Sequence, residues 1–203
     1  MIALQETNVE SLLEKAKELE KKYEWLQAAK FYKKAFDMVL DEKDVLKAAE
    51  FQEQIGFCFI KAADQAETNK EFREHMKQAV QAYRNASKIL EEVIVEDKQV
   101  RIDHVTALIA LVEALLEKNL LKKKKLLDEW WALENQVIIA HEKSGDLRSA
   151  GKVCNELLEY SRSHRYWFVL NYSEWEKNRK ENINLAEKAI QIFSQLNNLL
   201  LHS

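Results

Sequence analysis

The sequence predicts an all-α protein of about eight helices, and three observations carry that prediction. The 203 residues include only 3 Gly and no Pro, where average usage of about 7% Gly and 5% Pro would supply roughly two dozen of the two together. Ala, Glu, Lys, Leu and Arg make up about half of the chain, the composition of long helices. Apolar residues also recur at i, i+3, i+4 and i+7 along most of its length. Sheets need Gly at positive φ and Pro, Asn or Asp in many short turns, so all-β and α/β folds do not fit.

Each element has its own signal. Thr7 followed by Glu10 reads as a capping box that starts helix 1 near Asn8. Its apolar face is Leu12, Leu13, Ala16 and Leu19, and it runs to about Lys22, where Tyr23-Glu24-Trp25 forms a corner. Helix 2 carries Ala28, Phe31, Tyr32, Ala35, Phe36 and Val39 on one stripe. Asp44 is expected to cap helix 3, which runs from about Val45 to Glu67 and buries Ala48, Ala49, Ile55, Gly56, Phe59, Ala62 and Ala66. Thr68 with Glu71 forms a second capping box, for helix 4, with the stripe Phe72, Met76, Ala79, Val80, Tyr83, Ala86 and Leu90.

The apolar phase breaks around Glu96 to Gln99, and helix 5 (about Val100 to Lys118) and helix 6 (about Leu120 to Lys143) follow. Ser144-Gly145-Asp146 is a stop-and-start signal, Gly145 ending one helix and Asp146 capping the next. Helix 7 holds Leu147, Ala150, Val153, Cys154, Leu157 and Leu158. Arg162, Ser163 and His164 mark a corner before a final helix with Ile183, Ala186, Ala189, Ile190, Phe193 and Leu196. Short connections make most neighbours antiparallel. Gly145 would pair helix 6 with helix 7, whereas simple alternation pairs 5 with 6 and 7 with 8, and both pairings stay open.

An internal repeat changes the meaning of every residue within it. Three segments share Ala, then a larger residue four on, then a small or apolar residue three beyond: Ala28/Tyr32/Ala35, Ala79/Tyr83/Ala86 and Ala150/Cys154/Leu157. Small residues on the preceding helices, Ala16 and Gly56, suit backbones that cross about 8–10 Å apart. With Leu12, Ala16, Leu19, Ala28, Tyr32 and Ala35 at that family's spacing, the chain resembles the tetratricopeptide repeat (TPR) superfamily. Gly56 and Ala79 lie further apart than in a standard repeat, which is similar to the SNAP-like branch with its lengthened helices. The clearest repeats cover residues 8–40 and 45–92, a further one covers 134–158, and 160–203 is a C-terminal helical region of the same single domain. No family Pro closes any repeat. The resemblance implies antiparallel helix pairs stacked as a right-handed α-solenoid.

Chemistry-bearing patterns are sparse. His75, His104, His141, His164 and His202 form no HExxH and no Glu-x-x-His pair, which argues against zincin and di-iron helices. His141 reads as a core histidine, and Cys58 and Cys154 as buried reduced thiols without CxxC spacing. No catalytic, cofactor or metal site is expected, and the chain is read as a non-enzyme. A net charge of −3 gives no pull toward nucleic acid or an anionic membrane. Lys122 to Lys125 reads as a solvated helix start. The stretch Val105 to Val112 is broken by Glu113, far short of the roughly 20 residues of a spanning helix. The N-terminus has no signal-peptide pattern, and a cytoplasmic protein is expected.

The resemblance places the first helix of each pair on a concave surface, where partners usually lie. It puts Glu10, Leu13, Lys17, Glu20 and Lys21 there from the first pair, and Glu50, Glu53, Phe57 and Lys61 from the second. The family's carboxylate clamp uses Lys and Asn at such places. Here Leu13 and Glu53 replace its members, so a chaperone-tail receptor is not expected. Arg165, Tyr166 and Trp167 form a secondary candidate, a cluster of interface hot-spot types. The expected function is a TPR-like adaptor or scaffold that binds a protein or helical peptide on its concave face. The alternatives are a sensory or regulatory segment of a longer signalling protein, or a self-associating assembly factor. Leu199-Leu200-Leu201 is apolar where a terminal cap should be polar, which implies a homo-oligomer or further sequence downstream.

Overall fold

The computed structural model describes residues 8–41, 44–94, 98–161 and 172–201. Among them the regular elements are all helices: α1 (Val9–Lys21), α2 (Trp25–Asp41), α3 (Val45–Asp64), α4 (Asn69–Glu92), α5 (Lys98–Leu116), α6 (Leu120–Ser144), α7 (Leu147–Tyr160) and α8 (Tyr172–Leu201). The fold is all-α, and within each of its two compact units successive helices pack on one another. The chain divides into two compact units, Met1–Leu116 and Glu117–Ser203. In the first, α1 packs on α2, α2 on α3, α3 on α4 and α4 on α5. In the second, α6 packs on α7 and α7 on α8. No described helix is long and apolar enough to cross a membrane.

With so few glycines, side chains make the corners. Thr68 Oγ1 accepts from the Glu71 amide at 3.2 Å, and Glu71 Oε2 accepts from the Thr68 amide at 3.2 Å, the expected capping box. Asp44 accepts from the Lys47 amide, and Asp146 from the Ser149 amide, as their positions predict. Both carboxyls lie below their ordinary value, Asp44 chiefly through the Lys47 amide and Asp146 through hydrogen bonds to Ser149. Gly145, at φ 80°, ends α6 in the left-handed region. Asn119 caps α6 by accepting from the Lys122 amide.

The first cap differs from expectation. Asn8, not Thr7, is the N-cap of α1, and its Oδ1 accepts from the Ser11 amide at 2.8 Å. A cap fits only the residue whose side chain reaches the amide three positions on, and Asn8 meets that condition; Thr7 lies outside the described residues. Helix α1 ends without glycine. Tyr23 takes φ 60°, its amide donates to Glu20 O, and the Glu24 amide reaches back to Leu19 O. That is a Schellman closure with a tyrosine where glycine is usual.

The core of the first unit follows the expected stripes. Ala16, Ala28, Tyr32, Ala35, Ala48, Ala79, Met76, Tyr83, Ala86 and Leu90 are buried. Phe31, Phe36, Phe59 and Phe72 are half-buried. Helix α3 stops at Asp64, earlier than expected, and Phe51, Cys58, Ile60 and Ala63 join its buried side. Full burial of a side chain such as Leu90 or Met76 stabilises by about 1.5–3 kcal/mol.

The second unit departs further. Trp130, Val137, Ile138 and Leu127 are buried from α6, and Ala150, Val153, Cys154 and Leu157 from α7. His141 is half-exposed, with Nδ1 3.6 Å from Asp146 Oδ2 instead of lying in the core. On α8 the buried residues are Asn178, Leu185, Ala189 and Ile192, whereas Ile183, Ile190 and Phe193 are exposed. The helix carries two apolar stripes, Ile183 and Ile190 lying about 160° around from Leu185 and Ile192 at 100° per residue. Packing on α7 covers only the second. Lys124 of the lysine run is drawn into ion pairs with Asp128 and, at 2.7 Å, Glu174. Lys122 and Lys125 stay exposed.

Candidate interaction face

The residues assigned to the partner surface form two stripes in the first unit. On α1, Glu10, Lys17 and Lys21 are exposed, at the helical spacing that puts them on one side. Leu13, on the same side, is half-buried against the core. Glu20 turns inward. Its Oε1 accepts from the Tyr32 hydroxyl at 2.9 Å and from the Cys58 thiol at 3.8 Å, which fixes α1 to both α2 and α3.

On α3, Glu50 is exposed, and Glu53, Phe57 and Lys61 are half-buried. Phe57 meets Trp25 edge to face, with ring centroids 5.8 Å apart, and Trp25 meets Tyr23 in the same manner at 6.0 Å. The Lys61 ammonium lies 5.5 Å from the centre of the Phe57 ring. An aromatic step with one cation, Lys61, against it therefore sits where the α1–α2 corner meets α3.

Arg101, at the start of α5, extends this side and was not anticipated. Its Nη2 donates to Glu53 Oε1 at 2.9 Å, and its Nη1 lies 3.9 Å from Glu50 Oε1. Carrying the repeat register into a third pair would have pointed to it. The pairing after residue 95 had two readings, however, and neither fixed the facing side of α5. Arg165, Tyr166 and Trp167 lie outside the described residues, as do the side chains of Leu199, Leu200 and Leu201.

Both cysteines are free and buried. Burial, then the neighbouring Glu20 carboxylate, pushes the Cys58 thiol far above its ordinary value, and the Tyr32 phenol rises for the same reasons. Cys154 is pushed up to about 11, mainly by burial. Lys188 of α8 pulls it down, but Glu142, which bonds Lys188 at 2.6 Å, opposes that pull. Neither environment stabilises a thiolate nucleophile. Among the described residues no group of three or more His, Cys, Asp and Glu is arranged to hold a metal ion.

No protein-family model and no curated protein matches the sequence. Among solved structures, the chain is similar to the crystal structure of a de novo designed helical repeat protein, with 20% sequence identity and a TM-score of 0.38 over 92% of this chain and 93% of that one.

Proposed function

We propose that the chain is a tetratricopeptide-like, non-enzymatic adaptor of the cytoplasm, whose protein or helical-peptide partner lies on the side built by α1, α3 and α5. The observation that carries this reading is the continuity of that side. Glu10, Lys17 and Lys21 are exposed on α1, which Glu20 joins to Cys58 of α3; Glu50, Phe57 and Lys61 lie on α3, and Arg101 of α5 joins it through Glu53. Alternating charge around an aromatic step suits an amphipathic helix with alternating signs of its own. The family reading is supported by the buried Ala28/Tyr32/Ala35 and Ala79/Tyr83/Ala86 sets. Two free buried thiols suit a reducing compartment.

The test is affinity purification from native lysate with wild type and with Lys17→Glu plus Lys61→Glu, circular dichroism confirming that both are folded. The double variant should lose the partners that wild type retains. Equal retention would mean that the partner surface lies elsewhere.

A second reading, self-association, is supported by the uncovered stripe of α8, where Ile183 is 44% and Ile190 69% exposed. Light scattering after size exclusion should then give a dimer that Ile190→Lys converts to monomer. A monodisperse wild-type monomer would remove this reading.

A further inference from the structure

Helices α2, α3 and α4 enclose an open groove of about 610 Å³. It lies on the other side of α3 from the proposed partner face: Gln52, Ile55 and Phe59 line it, about half a turn around the helix from Glu50, Glu53, Phe57 and Lys61. Its apolar walls come from Phe36 and Leu40 of α2 and Ile89 of α4, over a floor of Ile55, Phe59 and Ala82. Leu40 is 51% exposed.

The polar lining is made of amides. Gln81 Nε2 donates to Asn85 Oδ1 at 2.9 Å, and Asn85 Nδ2 donates to Gln52 Oε1 at 3.5 Å. The relay stops at Gln52, a residue only 7% exposed whose Nε2 donors have no partner among the described residues. Gln52 lines the groove, so these donors are open to whatever occupies it. At the other end of the relay, the Gln81 carbonyl is an open acceptor, and Gln78 adds another amide one turn away.

This chemistry selects among occupants. The rim charges alternate, Lys33 with Asp37 on α2 and Lys88 with Glu92 on α4, so they cancel and favour neither an anion nor a cation. A bound helix has already satisfied its own backbone and would leave the amides idle. An extended strand presents free N–H and C=O groups, which need an acceptor and a donor together. The wall from Gln78 to Glu92 is about 21 Å long at 1.5 Å per residue, room for about six extended residues. We propose that this groove binds a short, extended, uncharged peptide segment of another protein. Apolar side chains seat against Phe36, Leu40 and Ile89, and the peptide main chain bonds to Gln52 and Gln81.

The test uses the full chain and phage-displayed random dodecapeptides. Enriched peptides are synthesised with a fluorescein label and titrated by fluorescence anisotropy. Wild type and Lys17→Glu/Lys61→Glu should bind them equally, because the groove is separate from the α1/α3 side. Gln81→Leu with Asn85→Leu, both at exposed positions and checked by thermal melting, should weaken binding about tenfold or more. N-methylation of one central peptide amide should weaken it similarly. Failure to enrich any peptide, equal binding by the Gln81/Asn85 variant, loss in the Lys17/Lys61 variant, insensitivity to N-methylation, or a helical signal from the bound peptide would each overturn the proposal.

Discussion

Gly56 of α3 lies directly beneath the ring of Tyr83 of α4: a Cβ added to Gly56 would stand 2.7 Å from Tyr83 Cζ and 2.8 Å from Cε1. Tyr83 is buried, so its ring has nowhere to retreat. Gly56→Ala should therefore destabilise by about 1–3 kcal/mol through overpacking, although alanine is the better helix former by about 1 kcal/mol. Urea denaturation reads the effect as a lower midpoint. Adding Tyr83→Leu should make the second substitution cheaper than it is alone, a coupling that a double-mutant cycle measures. Gly151 provides a contrast. Its nearest neighbour is Phe193, 3.1 Å from the added Cβ and 38% exposed, so Gly151→Ala should be near neutral.

The Tyr23 corner stores backbone strain, since φ 60° costs an ordinary L residue about 1 kcal/mol or more. Tyr23 is 68% exposed and contributes mainly its edge contact with Trp25. Tyr23→Gly should raise stability by up to about 1 kcal/mol. A thermal melt with an unchanged or lower midpoint would count against strain as the governing effect.

Arg101 binds Glu53 across α5 and α3 with both side chains mostly shielded, at 24% and 20% exposure. Arg101→Glu should destabilise by about 1–2 kcal/mol, because it replaces a charge-assisted bond by repulsion. Exchanging the pair, Arg101→Glu with Glu53→Arg, should recover most of the loss. Denaturation of the four variants at low and high salt checks both the coupling and its partial screening.

Alkaline pH should destabilise the protein. Cys154 gives up its proton at about 11 when folded, against an ordinary thiol value of 9.0. Between those values the unfolded chain binds fewer protons than the native one, so stability, complete below pH 9, falls as pH rises toward 11. Cys58 and Tyr32 are raised too and act in the same direction. Cys154→Ala should flatten the decline seen in denaturation series between pH 8 and 11. The native thiols should also resist alkylation at neutral pH and react once the chain is unfolded.

Legibility in the sequence followed the range of the forces involved. Thr68 with Glu71, Asp44 and Asp146 announce their helices because a cap joins residues three apart. The choice of Asn8 over Thr7 was missed because both residue types cap and only the backbone entering α1 selects one. The α1 and α3 stripes of the proposed partner face came from the family resemblance, which assigns a position to each residue of a repeat. Arg101 was not, since its role depends on how α5 sets against α3. The amide-lined groove drew on three helices spread from Lys33 to Glu92, and no local pattern marks it.

The sequence by itself determined that the chain is helical, where most helices begin and end, and that small residues recur where neighbouring helices meet. Those properties arise from composition, capping and a period of 3.6 residues, all of which act within a few positions. Only the tertiary structure decided that Tyr83 rests on Gly56, that Gln52 keeps open donors beneath a groove, and that α8 covers Leu185 and Ile192 while leaving Ile190 exposed. Two apolar stripes on one helix look alike to any local rule. Which of them is buried depends on the shape of the neighbouring helix and the close packing it permits.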